Sequence, residues 1–372
     1  MELYEGFVCH PSVCAVGKDY QILVPVNFDM LLSAKIGDRE FFNHSNGIRI
    51  SSSEVQRITV PQKVLDEAKS YTLVARRMVD RKPYFPVTEE AVEITYSFKP
   101  LEKTENINIY QVADAHGVIN ESIKAGRYYG EDVDLILLNG DVMDSSSSVE
   151  VIEAIFKIAS GIGEGHVPCV MSRGNHDLRG ICAERLASFM PNNNGKSYYT
   201  FRVGCIWGIL IDCGEDKPDA NNEYGHTICC HQFRLEETEF IKEVIENAKD
   251  EYEAPDVKYR LVISHNPFAH TIRPPFDIEQ PLFAEWCKLL KENVHPDLML
   301  CGHLHCLSIS EDGGPFDQKG QPCITLIGSN VKINDDGTAV YTGMGVTLND
   351  KDAKVVFNSN EEVLGEHTVK FR

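Results

Sequence analysis

Short runs of apolar, β-branched and aromatic residues recur between turn signals through the first hundred positions. They fall at 21–26, 31–36, 55–60, 71–79 and 91–98 and predict β-strands. In the fourth run Tyr71, Leu73 and Ala75 alternate with polar or exposed-type positions, the period of a half-buried strand. From residue 107 the pattern changes. Apolar runs at 107–113, 135–138, 167–171, 261–263 and 298–300 alternate with helix-period stretches. Ile152, Ile155, Phe156 and Ala159 share one helical face, and Phe240, Ile241, Val244, Ile245 and Ala248 share another. The runs 198–203 and 206–211, joined at Gly204-Cys205, predict a hairpin. Strand-like runs return at 323–327, 339–346 and 355–358. The whole predicts an α/β chain.

A polar, Pro-containing stretch from Phe98-Lys99-Pro100 to Glu105 makes a linker. We therefore expect an N-terminal domain at 1–103 and a larger domain at 104–372, in keeping with the length of 372 residues. Tyr71, with Leu65 shortly upstream, looks like the tyrosine corner of fibronectin-type sandwiches, in which the phenol bonds back to the upstream chain. The first domain is thus expected to be a small fibronectin-like β-sandwich without a catalytic constellation.

Composition narrows the classes. Apolar content of 42% and charged content of 25% suit a soluble globular protein. No apolar run reaches the roughly 18 residues of a membrane span. The acidic start, Met1-Glu2-Leu3-Tyr4-Glu5, is unlike a signal peptide. The 12 cysteines form no CxxC pairs, and Cys169, Cys205 and Cys323 lie within apolar runs. Buried free thiols in a cytoplasmic protein are expected. With 36 basic and 56 acidic residues the net charge is −20, which disfavours a nucleic-acid backbone as partner. An anionic substrate would need local positive charge, and bound metal ions can supply it.

Metal-competent residues stand where each apolar run of the second region ends. Asp114 and His116 follow the first, Asp141 and Asp144 the second, and Asn175 and His176 the third. His265 follows the fourth, and His303 and His305 the fifth. Loops beyond the carboxyl ends of strands form the binding crevice of α/β sheets. Imidazoles, carboxylates and one amide suit Mn, Fe, Zn or Ni better than Ca or thiolate-bound metals. Two cations about 3.5–4 Å apart need a bridging carboxylate and a bridging hydroxide, and that hydroxide is a nucleophile at neutral pH.

The ordered motifs DAHG (114–117), GDVMD (140–144), GNHD (174–177), SHNP (264–267) and GHLH (302–305) resemble those of the calcineurin-like metallophosphoesterase superfamily. The resemblance implies a four-layer sandwich of two mixed β-sheets flanked by helices. It places one metal on Asp114, His116, Asp141 and His305, and a second on Asp141, Asn175, His265 and His303. It makes His176 the general acid, paired with Asp144, and gives Arg173 the place of a phosphate-binding arginine. A β-sandwich ahead of the catalytic domain is similar to the purple acid phosphatases. Met143 and Asp144 offer no phenolate where those enzymes carry a tyrosine ligand. No arginine follows Asp144, unlike the protein Ser/Thr phosphatases.

The resulting expectation is a cytoplasmic, dinuclear-metal hydrolase of a small phosphomonoester or phosphodiester, with neither membrane nor nucleic acid as partner. A nuclease or nucleotide phosphodiesterase is the rival enzyme, and a catalytically silent binding module the rival of another class. The remaining candidates have plainer readings. Asp177 would cap a helix spanning 178–190. His10, His44, His166, His295 and His367 stand alone, and Cys301 and Cys306 flank the last motif as packing thiols. The polar insertion 214–231, with His226, Cys229, Cys230 and His231, reads as a rim loop.

Overall fold

The computed structural model describes residues 2–360 and 362–371. Among them, two sheets face each other. The larger runs, in spatial order, Val363–Lys370, Asp352–Ser359, Ala339–Leu348, Ile107–Val112, Leu135–Asn139, Pro168–Ser172, Ser12–Val16, Asp19–Pro25 and Val55–Pro61. Asn330–Ile333 pairs with Ala339–Leu348 at its side. The smaller runs Tyr199–Val203, Ile206–Ile211, Tyr259–Ser264, Leu298–Cys301, Ile324–Gly328 and Leu307–Ser310.

Side-chain alternation explains why the motif-bearing strands read as unbroken apolar runs. Ile109, Leu137 and Val170 enter one core with Leu261, Ile263 and Leu300 from the opposite sheet. Their neighbours Tyr110, Leu138 and Met171 point outward into a second core with Ile155 and Phe156 of helix Val149–Gly163. Val262 and Met299 likewise pack with Ile241 of helix Cys230–Glu246 and Trp286 of helix Gln280–Leu289. Strands covered on both faces have no polar side to show. The layers are helix, sheet, sheet, helix, as expected. Helix Val149–Gly163 starts where Ser148 Oγ accepts from the Val151 N–H, a side-chain N-cap.

The first hundred residues depart from expectation. Three of their strands belong to the large sheet, where Ser12–Val16 lies parallel to Pro168–Ser172 with Val13 opposite Pro168 and Cys14 opposite Cys169. Four others, Val92–Ser97, Ser70–Asp80, Met30–Ile36 and Arg39–Phe42, form a third sheet with Val87–Thr88 at its side. Its Leu32, Leu73 and Tyr96 enter the same core as Val170 and Leu210. The division at residue 103 therefore coincides with no break in sheet or core. The tyrosine-corner expectation also fails, because Tyr71 Oη donates to the Gly165 carbonyl at 2.9 Å rather than back upstream. Gly165 lies just before strand Pro168–Ser172, so this bond fastens the third sheet to the catalytic one.

The helix expected over 178–190 is broken into 3-10 turns at His176–Leu178 and Ile181–Arg185 and a short helix Leu186–Phe189. Gly180 makes the break at φ 112°, and a Cβ there would meet the backbone of Ser146 at 2.7 Å. Ser146 holds the segment by accepting from Cys182 N and donating to the Arg179 carbonyl. Among the described residues, no helix is long and apolar enough to cross a membrane. The hairpin Tyr199–Val203 and Ile206–Ile211 forms as expected.

Candidate metal centre

The large sheet sets Ile107–Val112, Leu135–Asn139 and Pro168–Ser172 side by side and parallel. The smaller sheet does the same for Tyr259–Ser264 and Leu298–Cys301. All five motif loops therefore leave carboxyl ends, and the two sheets deliver ligands to one place. Buried polar side chains lock the sheets together beneath it. Gln111 Nε2 donates to Cys301 O across the interface at 2.9 Å. Asn139 Nδ2 donates to Gln111 Oε1 at 3.1 Å and to Leu300 O at 3.0 Å. Ser172 Oγ donates to Asn139 Oδ1 at 2.8 Å. In a core these groups are costly unless satisfied, and together they fix the loops' origins.

The loops themselves are bent. Asp114, His116, Asp141, His303 and His305 all have positive φ, between 43° and 67°. Side-chain-bearing residues seldom adopt this conformation, and it collects at functional sites. Glycines make room for the bends. A Cβ on Gly174 would lie 2.2 Å from Asp141 Oδ1, and one on Gly302 would lie 2.6 Å from Asp114 Oδ2. A Cβ on Gly140 would strike the His265 ring at 2.6 Å. Asp-x-His and His-x-His thus reach one cluster through turned backbones.

Among the described residues, three groups of potential ligand atoms result: Asp114, His116 and His305; His116, Asp141 and His176; and Asp141, His265 and His303. Asp141 belongs to two of them. His265 Nε2 lies 3.2 Å from Asp141 Oδ2 and 3.7 Å from Asp114 Oδ1. His305 Nε2 lies 3.3 Å from Asp114 Oδ1 and 3.2 Å from His116 Nε2. Asn175 Oδ1 lies 3.0 Å from His303 Nδ1. The backbone N–H of His303 and the hydroxyl of Ser329 donate to Asp114, and the N–H of His176 donates to Asp141.

The electrostatics ask for a cation. Asp114 and Asp141 are buried, which opposes their charge, yet His265 holds both carboxyls below the usual range. Burial pulls the His265 imidazole down, but Asp141 and Asp114 outweigh it and push the group up to about 10. Burial, and His265 beside it, push His303 down to about 4. His265 Nδ1 is turned to the Asn139 carbonyl at 2.7 Å, which leaves Nε2 aimed at two carboxylates. That buried Nε2 faces Asp141 Oδ2 and Asp114 Oδ1 as an ion pair, without a well-aligned hydrogen bond to either. An imidazole nitrogen aimed between two carboxylates fits a transition-metal ion, and the Asn139 carbonyl fixes the tautomer such a ligand needs.

The other expected residues sort unevenly. His176 joins the cluster, its ring centroid 4.8 Å from that of His116. Its pairing with Asp144 runs mainly through the backbone: Nδ1 lies 3.2 Å from the Asp144 carbonyl oxygen and 4.0 Å from the carboxylate. The Asp144 side chain is 73% exposed and lies nearer His116, at 3.5 Å. Arg173 is engaged elsewhere, its Nε donating to the buried Asp212 and its guanidinium stacked 5.1 Å over Phe233. Asp177 caps no helix. Its Oδ2 accepts from the N–H groups of Gly174 and Asp141, tying two motif loops together, and burial beside Asp141 raises it to about 8. His231 is bonded to Glu279, and His226 lies exposed on the insertion.

Sequence reasoning missed Arg179. Its Nη1 lies 3.4 Å from His176 Nε2, and its Nε and Nη2 form a two-point bond with the buried Glu215 at 2.8 and 2.9 Å. The only linear signal was a cation three positions after His176. Ser329, Gln111 and Asn139 were missed too, since uncharged residues in or beside apolar strands carry no motif.

The fold is shared by proteins of known structure. The chain superposes on a purple acid phosphatase, PPD1, from yellow lupin (Lupinus luteus) seeds with a TM-score of 0.60 at 11% identity, covering 97% of this chain and 74% of that one. On PhoD the TM-score is 0.55 at 11% identity, covering 100% of this chain and 90% of that one. Among curated proteins, none matches the chain. Residues 107–307 match the family model of the calcineurin-like phosphoesterases. The chain belongs to that family.

Proposed function

We propose that the protein is a cytoplasmic phosphoesterase carrying two transition-metal ions (Mn, Fe, Zn or Ni) that hydrolyses a small phosphomonoester or phosphodiester. Asp114, His116, Asp141 and His305 would hold one ion, and Asp141, Asn175, His265 and His303 the other. The observation that carries this reading is Asp141, common to two ligand groups and 3.2 Å from Nε2 of His265. Twelve unbridged thiols support the compartment.

When bound, such ions supply charge to the phosphoryl oxygens and acidify water at neutral pH. The protein does the rest. The Asn139 carbonyl orients His265, and Ser329 with the His303 N–H holds Asp114. Water adds to phosphorus, the bond to the ester oxygen breaks, and that oxygen leaves with the electron pair and takes a proton from His176. The proton lost by water restores His176. The Asp144 carbonyl steadies the ring through Nδ1, leaving Nε2 for the transfer.

Chelation followed by addition of each metal, with an activated aryl phosphate as substrate, tests the reading. Activity should vanish and return, and Asp141→Asn should bind fewer than two ions. Hydrolysis indifferent to chelation would sink the metal mechanism. His176→Ala should retain its metal and lose roughly 100- to 10,000-fold on poor leaving groups.

A further inference from the structure

Two pockets open beside the motif Gly174-Asn175-His176-Asp177. The larger, of about 570 Å³, is walled by Leu178, Ile181, Tyr224, Ile228 and Phe233 and includes Arg179. A smaller one of about 290 Å³ shares Arg173 and Phe233 with it. The larger has the volume of a small-molecule site, and Arg179 joins it to the chemistry: the same guanidinium that lines it lies 3.4 Å from His176 Nε2. A group seated there is next to the atom that donates the proton.

Charge decides what that group can be. Both cations of the lining are spent inside the protein. Arg173 donates to buried Asp212. Arg179 gives Nε and Nη2 to Glu215, has Asp216 3.9 Å from the same Nη2, and has Glu223 3.5 Å from Nη1. The lining also contains Glu184, an exposed carboxylate that forms no ion pair among the described residues. A phosphorylated or otherwise anionic leaving group would find no free cation and at least one repelling carboxylate. Apolar walls offer it nothing in return.

We propose that this pocket binds the leaving alcohol of the substrate, and that the alcohol is apolar and uncharged, on the scale of one or two rings. The assignment rests on the phosphoesterase reading above, with the phosphoryl group at the metals and the ester oxygen at His176. Specificity then comes from Ile181, Ile228 and Phe233 on the leaving side. Nucleoside di- and triphosphates, whose leaving groups are anionic, are poor substrates.

The test uses the full, metal-loaded chain and two readouts. Hydrolysis of 1-naphthyl phosphate is compared with that of phenyl phosphate, whose leaving group is of similar basicity but one ring smaller. Binding of free 1-naphthol is measured by titration calorimetry. Ile181→Glu and Ile228→Glu are the variants; Ile181 is 74% exposed, so its replacement leaves folding intact. The expected result is a kcat/KM about tenfold higher for the naphthyl ester, from the extra apolar area. In both variants that ratio should fall toward one and naphthol binding should weaken about tenfold. Hydrolysis with a ratio of one or less in the unaltered protein, or naphthol binding untouched by both substitutions, overturns the pocket assignment alone. Naphthol binding with the stated sensitivity but no hydrolysis of either ester overturns the phosphoesterase reading and the leaving-group role with it.

Discussion

His265 makes the metal affinity depend on pH in a calculable direction. Against the pull of burial, Asp141 and Asp114 push it up to about 10, so at neutral pH it carries a proton that an incoming metal must expel. Affinity should therefore rise with pH, about tenfold per unit for this one proton, and level off near 10. His303, pushed down to about 4, is already neutral and contributes no such slope above that pH. Calorimetry of metal binding in buffers of different ionisation heat checks this through the proton released. Asp144 gives a second expectation. Because the backbone carbonyl at 3.2 Å orients His176, Asp144→Asn should cost less than the roughly 100-fold minimum of a lost general acid. A loss as large as that of His176→Ala, in kcat on a poor leaving group, would restore the carboxylate to the role the motif suggested. The motif residues were legible because they stand within a few positions of the ends of five strands. The partners of Arg173 and Arg179 were not, since Asp212 and Glu215 lie 39 and 36 positions away on elements whose placement the linear pattern does not show.

At the scale of the element, the glycines that precede the motif residues are as restrictive as the ligands. Gly174→Ala would drive a methyl to 2.2 Å from Asp141 Oδ1, with the Asp141 backbone N at 2.7 Å. A rigid backbone cannot yield as a side chain does, so we expect a loss of roughly 2 kcal/mol or more in stability together with reduced metal content. Denaturant melts and metal analysis of the same sample measure both. Strand existence could be read from periodicity, and the observed Met30–Ile36, Val55–Pro61 and Tyr259–Ser264 lie close to the runs expected. The break at Gly180 could not, because it depends on the Ser146 backbone more than thirty residues upstream. Periodicity describes a segment and is silent about its neighbours.

For the whole molecule, the consequential feature is the pairing of Ser12–Val16 with Pro168–Ser172. A chain beginning at residue 104 would leave the strand that leads into Gly174-Asn175-His176 with an unpaired edge and open the shared core. It should not unfold cooperatively, whereas the full chain should show one transition. Two separable transitions in the full chain would speak for independent domains. Tyr71→Phe should cost about 1–3 kcal/mol by leaving the buried Gly165 carbonyl without its donor. The expectation of two domains arose because a Pro-containing stretch resembles a linker, and the pairing of Cys14 with Cys169 spans 155 positions.

That span also sets an order of events during synthesis. Ser12–Val16 leaves the ribosome well before its partner exists, so the N-terminal strands wait with one edge open. Antiparallel pairing with Asp19–Pro25 and then Val55–Pro61 can protect the other side early. The open edge becomes a template on which the catalytic sheet is laid, and the same edge is the nascent chain's point of greatest exposure to aggregation.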